Sequence, residues 1–295
     1  MSARNKAYLY ILISIAIWGV AGPVIKYTLG YFDTITFLTL RFGLTSLILI
    51  PFWLVNERHH RHLFPKLTLI DWFTLIITGL MATTIQLGLL FFGFERTTAI
   101  EGTLISSMAP IFVALAGHYF LGDHITIRER VGMIIALIGT FIIVGLPNNI
   151  TSILGNVLVL LANLAWTVEA ILSKKLLRHN LSPLFLTTFF FLVGFISITP
   201  IYFFTNHYEL STINIPLAGW LGFTYMVFLS GIVAYSLFYK GQKTIEASEA
   251  NMFTYLQPLF ATPLAYFWLH EPITPIFVVG ATITAVGVFV ASLKP

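Results

Sequence analysis

Apolar residues in this chain fall into long, nearly uncharged runs separated by short polar stretches. Ten such runs cover roughly residues 7–28, 34–55, 70–93, 98–121, 127–146, 154–173, 184–204, 217–239, 246–269 and 273–293. Each holds about 20 residues or slightly more. At a rise of ~1.5 Å per residue, a helix of that length crosses a hydrocarbon core of about 30 Å. The pattern predicts an all-α integral membrane protein with ten transmembrane helices. Its first run follows Arg4 and Lys6 and continues from Ala7 to about Thr28. That is too long for the apolar region of a signal peptide and reads as a retained first helix.

Composition agrees. Of 295 residues, 57% are hydrophobic and 9% charged, against about 25% charged in soluble domains. So few charges cannot solubilise so much apolar surface, and the lipid bilayer is the expected solvent. The net charge of +4 raises nucleic acid as a partner, but the placement of the basic residues favours membrane topology instead. With the N-terminus inside, cytoplasmic segments carry Arg4, Lys6, Arg58, Arg61, Lys66, Arg128, Arg130, Lys174, Lys175, Arg178, Lys240, Lys243 and Lys294, which is 13 of the 16 Lys and Arg. External segments carry Lys26 and Arg96, and Arg41 lies within the second run. The positive-inside rule thus puts both termini in the cytoplasm. The short loops fit a prokaryotic plasma (inner) membrane.

The chain also repeats itself. Shifted by 148 residues without a gap, Trp18 falls on Trp166, Lys26 on Lys174, Trp72 on Trp220 and Gly93 on Gly241. Glu101 falls on Glu249, Pro110 on Pro258, and Gly132 and Gly139 on Gly280 and Gly287. Composition bias would align Leu and Ile, not Trp, Glu and Pro. The chain divides into repeats 1–148 and 149–295, each with five spans. An odd number makes the second copy enter the membrane from the opposite side, so the repeats are inverted about an axis in the membrane plane. Inverted repeats are a known basis for alternating access, with substrate bound near the midplane between them.

Several local patterns carry a resemblance. They are Trp18-Gly19, Arg41-Phe42, Ala99-Ile100-Glu101-Gly102 before Pro110-Ile111-Phe112, and Leu121-Gly122-Asp123. The second half answers with Ala247-Ser248-Glu249-Ala250, Gln257-Pro258-Leu259-Phe260 and Leu269-His270-Glu271-Pro272. In this order and duplication the chain resembles the EamA family of the drug/metabolite transporter superfamily over essentially its whole length. The resemblance implies a five-plus-five inverted fold and a central cavity lined largely by helices 1, 3, 4, 6, 8 and 9. It also implies transport, often export, of amino acids, related metabolites or drugs. Two positions depart from the family pattern: Glu169, where relatives often have a neutral or aromatic residue, and Asp123, where they usually have Glu.

A charge at the centre of a membrane helix costs at least ~2.5 kcal/mol on insertion scales, so each is a candidate for function. Glu101 and Lys26 lie near one end of the bundle, and their repeat mates Glu249 and Lys174 near the other. They suggest symmetric gate pairs, made and broken in turn; alternatively each carboxylate caps its own helix N-terminus. Arg41 could hold a substrate carboxylate or act as structural glue, since its repeat mate is Phe189. Glu169 could carry a proton, or reach cytoplasmic water from the helix end. Trp18 and Trp166 fall near the midplane and are candidate cavity walls or packing aromatics. Gln86, Ser107, Asn163, Tyr255 and Gln257 add candidate polar lining. Pro23, Pro110 and Pro258 would kink helices 1, 4 and 9. The glycines at 132, 139, 280 and 287 mark a packing stripe, within the chain or across a homodimer.

The remaining chemistry is thin. No cysteine is present, which removes thiolate metal sites, Fe–S clusters and Cys nucleophiles. His59, His60 and His62 lie among Arg58, Arg61 and Lys66, where cations repel a metal. The three Asp residues, Asp33, Asp71 and Asp123, all sit at span ends and form no dyad. There is no His-Glu-x-x-His motif and no Walker A loop. Asn149-Ile150-Thr151 matches a glycosylation sequon, a tripeptide that arises easily by chance. The expectation is a carrier of small molecules with no cofactor and no metal; a channel, a membrane scaffold or an intramembrane enzyme are the rivals.

Overall fold

The computed structural model describes residues 1–58, 67–123, 125–144, 150–179, 181–205 and 215–292. Every regular element among them is helical. In chain order these are α1 (Ala3–Thr28), α2 (Thr34–Arg58), α3 (Leu69–Arg96), α4 (Ala99–Leu121), α5 (Ile127–Val144), α6 (Ile150–Arg178), α7 (Pro183–Thr205), α8 (Leu217–Gln242), α9 (247–269) and α10 (Pro275–Ser292). Among the described residues, seven helices are long and apolar enough to cross a membrane: α1–α4 and α6–α8. The boundary expected at 148/149, the sequon at Asn149 and the histidines at 59, 60 and 62 lie outside the described residues.

Local chemistry explains the helix ends. Ser2 and Thr98 accept hydrogen bonds from the backbone of Asn5 and Glu101, and Thr68 forms a capping box with Asp71. The ends of α4 and α9 use left-handed residues at equivalent positions, Gly122 (φ 75°) and His270 (φ 55°). Glycine meets that geometry without strain, whereas His270 holds it against the cost to a β-carbon.

Packing recurs at the 148-residue spacing. A β-carbon on Gly139 would lie 2.6 Å from the Gly280 carbonyl oxygen and 2.5 Å from the Thr284 nitrogen. One on Gly287 would lie 2.5 Å from the Gly132 oxygen and 2.4 Å from the Ala136 nitrogen. These contacts are backbone and cannot give way, so the small-residue stripe is an intramolecular seam between α5 and α10. Gly93 packs on Gly155 and Val159 in the same way that Gly241 packs on Ala7 and Ile11.

The prolines act differently from the mid-helix kinks expected of them. Pro110 and Pro258 occupy the first turn of helical segments that restart at Ala109 and Gln257. There a missing N–H costs nothing. The interruption itself precedes them, at Ser107-Met108 in α4 and in a 3-10 turn over Phe253–Leu256 in α9. Pro23 lies inside the unbroken α1. Two π-helical stretches, Met81–Ile85 in α3 and Met226–Ala234 in α8, also fall at equivalent depths. Such stretches are frequent at functional sites because they loosen the regular backbone ladder.

Candidate functional site

A cavity of about 90 Å³ lies between the two halves, lined from α1, α2, α3, α4, α6, α8 and α9. Trp18 and Trp166, repeat mates, meet edge to face at one end of it, with ring centroids 5.6 Å apart at 87°. Such pairs add about 0.5–1.5 kcal/mol beyond their buried area. Each indole N–H is anchored: Trp18 donates to the Ser230 carbonyl oxygen at 3.2 Å, and Trp166 to Asn251 Oδ1 at 2.7 Å. Tyr235 and Phe238 extend the aromatic floor, their centroids 4.9 and 5.1 Å from Trp18.

Of the expected polar lining, Gln86, Asn163 and Gln257 face the cavity. Ser107 and Tyr255 do not. Ser107 is buried and donates its hydroxyl proton to the Leu104 carbonyl, and Tyr255 packs against the apolar cluster around Ile105, Met108 and Met133. The neighbours Ser106 and Thr254 line the cavity instead. Both lie where α4 and α9 leave regular geometry, and uniform helical depth cannot register that one-residue offset. Thr103, Ser230 and Tyr235 also line the cavity and were not expected. Ser230 had a signal, as the only hydroxyl within the apolar run 226–234.

Arg41 is the charged member of the lining and is 1% exposed. Nε donates to the Met226 carbonyl at 3.0 Å and Nη2 to Ser230 Oγ at 3.3 Å, both in the π-helical stretch of α8. Its guanidinium lies 5.4 Å from the Phe91 ring centroid. Nη1 has no partner, and no ion pair joins Arg41 to a carboxylate among the described residues.

The expected Glu101–Lys26 and Glu249–Lys174 pairs are not formed, because both lysines satisfy helix-end carbonyls. Lys26 donates to Phe94 O (3.0 Å) and Glu95 O (3.3 Å), and Lys174 to Gln242 O (2.7 Å) and Ile245 O. A cation at a helix C-terminus complements the macrodipole. The carboxylates instead bridge the halves. Glu101 accepts from Thr97 and from Asn156 Nδ2 at 3.2 Å, while Glu249 accepts from Tyr8 and Arg4. Asn156 and Tyr8 are themselves repeat mates. The role of capping a helix start from outside falls to the following loops. Glu271 accepts from the backbone N–H groups of Ala99 (2.7 Å) and Ile100 (2.9 Å), and its mate Asp123 accepts from Ser248 Oγ (3.1 Å). Burial pushes the Glu271 carboxyl above its usual range, opposed by those two N–H donors and by Lys26.

Glu169 does not extend to the surface: it is fully buried, Tyr239 donates to its Oε1 at 2.8 Å, and Oε2 has no partner among the described residues. Its repeat mate is Ala21, and that of Tyr239 is Phe91. Two positions that gain polarity together could have announced this pair.

A model of the EamA-like transporter family matches residues 5–145 and again 153–293. The chain belongs to the EamA-like transporter family. It is similar to YyaM, an uncharacterised transporter of Bacillus subtilis, at 26% identity covering 90% of this chain and 87% of the relative. An uncharacterised transporter of Archaeoglobus fulgidus is 25% identical, covering 99% of both chains. A solved structure titled only as the crystal structure of a protein shares the fold, with a TM-score of 0.71 at 15% identity, covering 98% of this chain and 96% of that one. This EamA-like protein is therefore an integral membrane protein of a transporter family, with the family model repeated across the two halves that meet at Trp18 and Trp166.

Proposed function

We propose that this protein is a secondary carrier that exports small metabolites, of the amino-acid class or related compounds, by alternating access between two inverted repeats of five spans. In this reading α5, α9 and α10 complete ten spans, and both termini are cytoplasmic in a prokaryotic inner membrane. The cavity then lies on the external side of the tryptophan pair. One observation carries the reading. Residues from both halves enclose the cavity up to the Trp18–Trp166 contact, and beyond it the equivalent residues Ala170, Phe238, Gln242 and Asn251 are fully buried. A cavity on one side of a contact between the repeats, with close packing on the other side, supports one state of an alternating-access cycle. Breaks at Ser107-Met108 and in the 3-10 turn of α9 supply places for α4 and α9 to bend.

The test is metabolite profiling of the medium from cells expressing the unmutated protein beside cells expressing Trp18→Ala. One compound class should accumulate outside only with the unmutated protein. No difference, with both proteins confirmed in the membrane, would sink export. Steady conductance in planar bilayers, in place of saturable flux with counter-transport, would make the protein a channel.

A further inference from the structure

The geometry points to the cavity as a site for organic monoanions, small carboxylates with an uncharged remainder, with Arg41 as the residue that binds the carboxylate. This rests on the cavity being the substrate site of the carrier proposed above, and it narrows the cargo from amino acids to related carboxylates that lack the ammonium group.

A guanidinium retained only as interhelical glue would have its donors satisfied by protein. Arg41 spends Nε and Nη2 on Met226 and Ser230 and leaves Nη1 unpartnered while 1% exposed. A buried cation without a counter-ion is costly in lipid-embedded protein. Among the described residues the lining holds no carboxylate to offset it. Two more polar atoms in the same wall are buried without partners, Gln86 Oε1 and Thr103 Oγ1. The cavity wall therefore holds one positive charge with an unpartnered donor, an amide and a hydroxyl with unpartnered oxygens, and an aromatic surface of Trp18, Trp166 and Phe91.

Charge balance selects among ligands. A monoanion makes the loaded cavity neutral. A zwitterion leaves the positive charge of Arg41 uncompensated overall, and an amine adds to it. A dianion leaves one negative charge over, with no second cation in the lining among the described residues. A neutral molecule leaves Nη1 without an ionic partner. The carboxylate also fits the fork geometry of guanidinium, and charge-assisted hydrogen bonds are the strong ones. The rest of the ligand can pack on aromatic rings and bond to Gln86 and Thr103.

The full-length protein, purified in detergent, can be titrated with phenylacetate, phenylacetamide, phenethylamine and phenylmalonate, following tryptophan fluorescence and thermal unfolding. Phenylacetate should bind at least about tenfold more tightly than its neutral amide, and more tightly than the amine or the dianion. Comparing acid with amide on the unmutated chain needs no variant. In Arg41→Gln the preference for the acid should collapse to near one, and in Arg41→Lys it should survive in part. Equal affinity for acid and amide overturns the inference. So does a preference that persists in Arg41→Gln, tighter binding of phenylmalonate, or no binding of phenylacetate. Flux in proteoliposomes separates this from the reading it rests on. Arg41-dependent acid binding without flux removes the carrier and keeps the anion site. Flux that is indifferent to the carboxylate keeps the carrier and removes the site.

Discussion

The two halves of this chain are copies, yet equivalent residues, mostly buried in both, line a cavity in one place and pack closely in the other. Ala21, Gly22, Leu90, Phe91 and Thr103 line the cavity. Their mates 148 positions later, Glu169, Ala170, Phe238, Tyr239 and Asn251, are all fully buried. Several mates are bulkier, and two have become polar together. The charges differ in the same sense. The cavity wall carries Arg41, whose mate is Phe189, and the packed region carries Glu169, whose mate is Ala21. One scaffold, duplicated, thus presents a cation beside the cavity and a buried carboxylate in the packed region. Related contacts serve both halves, but the contents of the two sites have diverged.

The most drastic way to break this contrast is to fill the open site. A β-carbon on Gly22 would already fall 2.3 Å from Thr103 Oγ1, so Gly22→Leu occupies the cavity and pushes Thr103 aside. Flux in vesicles should drop by about a hundredfold or more while membrane insertion persists, since the change removes the binding volume and adds apolar surface. The next effect comes from the packed side. Glu169→Gln keeps the size of the side chain and its contact with Tyr239, but cannot ionise. If closing and opening that region moves a proton, flux measured against pH flattens across the physiological range and its maximum falls by about tenfold. An unchanged pH profile would assign Glu169 to packing.

Much of this was legible in the sequence. The apolar runs predict helices that match the observed ones within a few residues, because a lipid-facing helix must declare itself by hydropathy alone. The repeat at 148 predicts that Trp18 and Trp166 are equivalent; their edge-to-face contact is a property of the assembled halves. Depth along a span identified Gln86, Asn163 and Gln257 but misplaced Ser107 and Tyr255, because α4 and α9 leave regular helix beside those residues. The lysines were misread for another reason. Opposite charges at the same depth suggested ion pairs, while Lys26 and Lys174 had nearer acceptors in the carbonyls that end α3 and α8. Backbone acceptors leave no trace in residue type. The π-helical stretches, which present Met226 and Ser230 to Arg41, were equally invisible.

A gentler perturbation tests whether the packed end can open. Arg4 and Tyr8 hold Glu249 there, and the arginine is largely exposed, so its contact is worth little individually. The chain has no cysteine, which makes a single introduced thiol an unambiguous reporter. Ser173→Cys replaces a fully buried residue of the packed region and should resist a membrane-impermeant maleimide. Adding Arg4→Ala should raise its labelling rate about twofold to fivefold. No change would place the restraint in the aromatic packing of that end instead.

The smallest effect distinguishes the two loop carboxylates that cap the paired helices. Glu271 receives two backbone N–H groups from the start of α4, whereas its mate Asp123 receives a serine hydroxyl at the start of α9. Glu271→Gln keeps one acceptor and is neutral, like the protonated carboxyl that burial favours, so the thermal unfolding temperature of the detergent-solubilised protein at neutral pH should be unchanged or slightly raised. The pH dependence gives the sign. Burial raises the Glu271 carboxyl above its unfolded value, so between those two values the folded chain holds more proton than the unfolded one. Stability from this group is therefore fully present below the unfolded value and declines as pH rises through the folded one. Glu271→Gln should remove that slope. A slope that survives the substitution would assign the dependence to another group, and a slope that steepens would show that the N–H donors and Lys26 outweigh burial at Glu271.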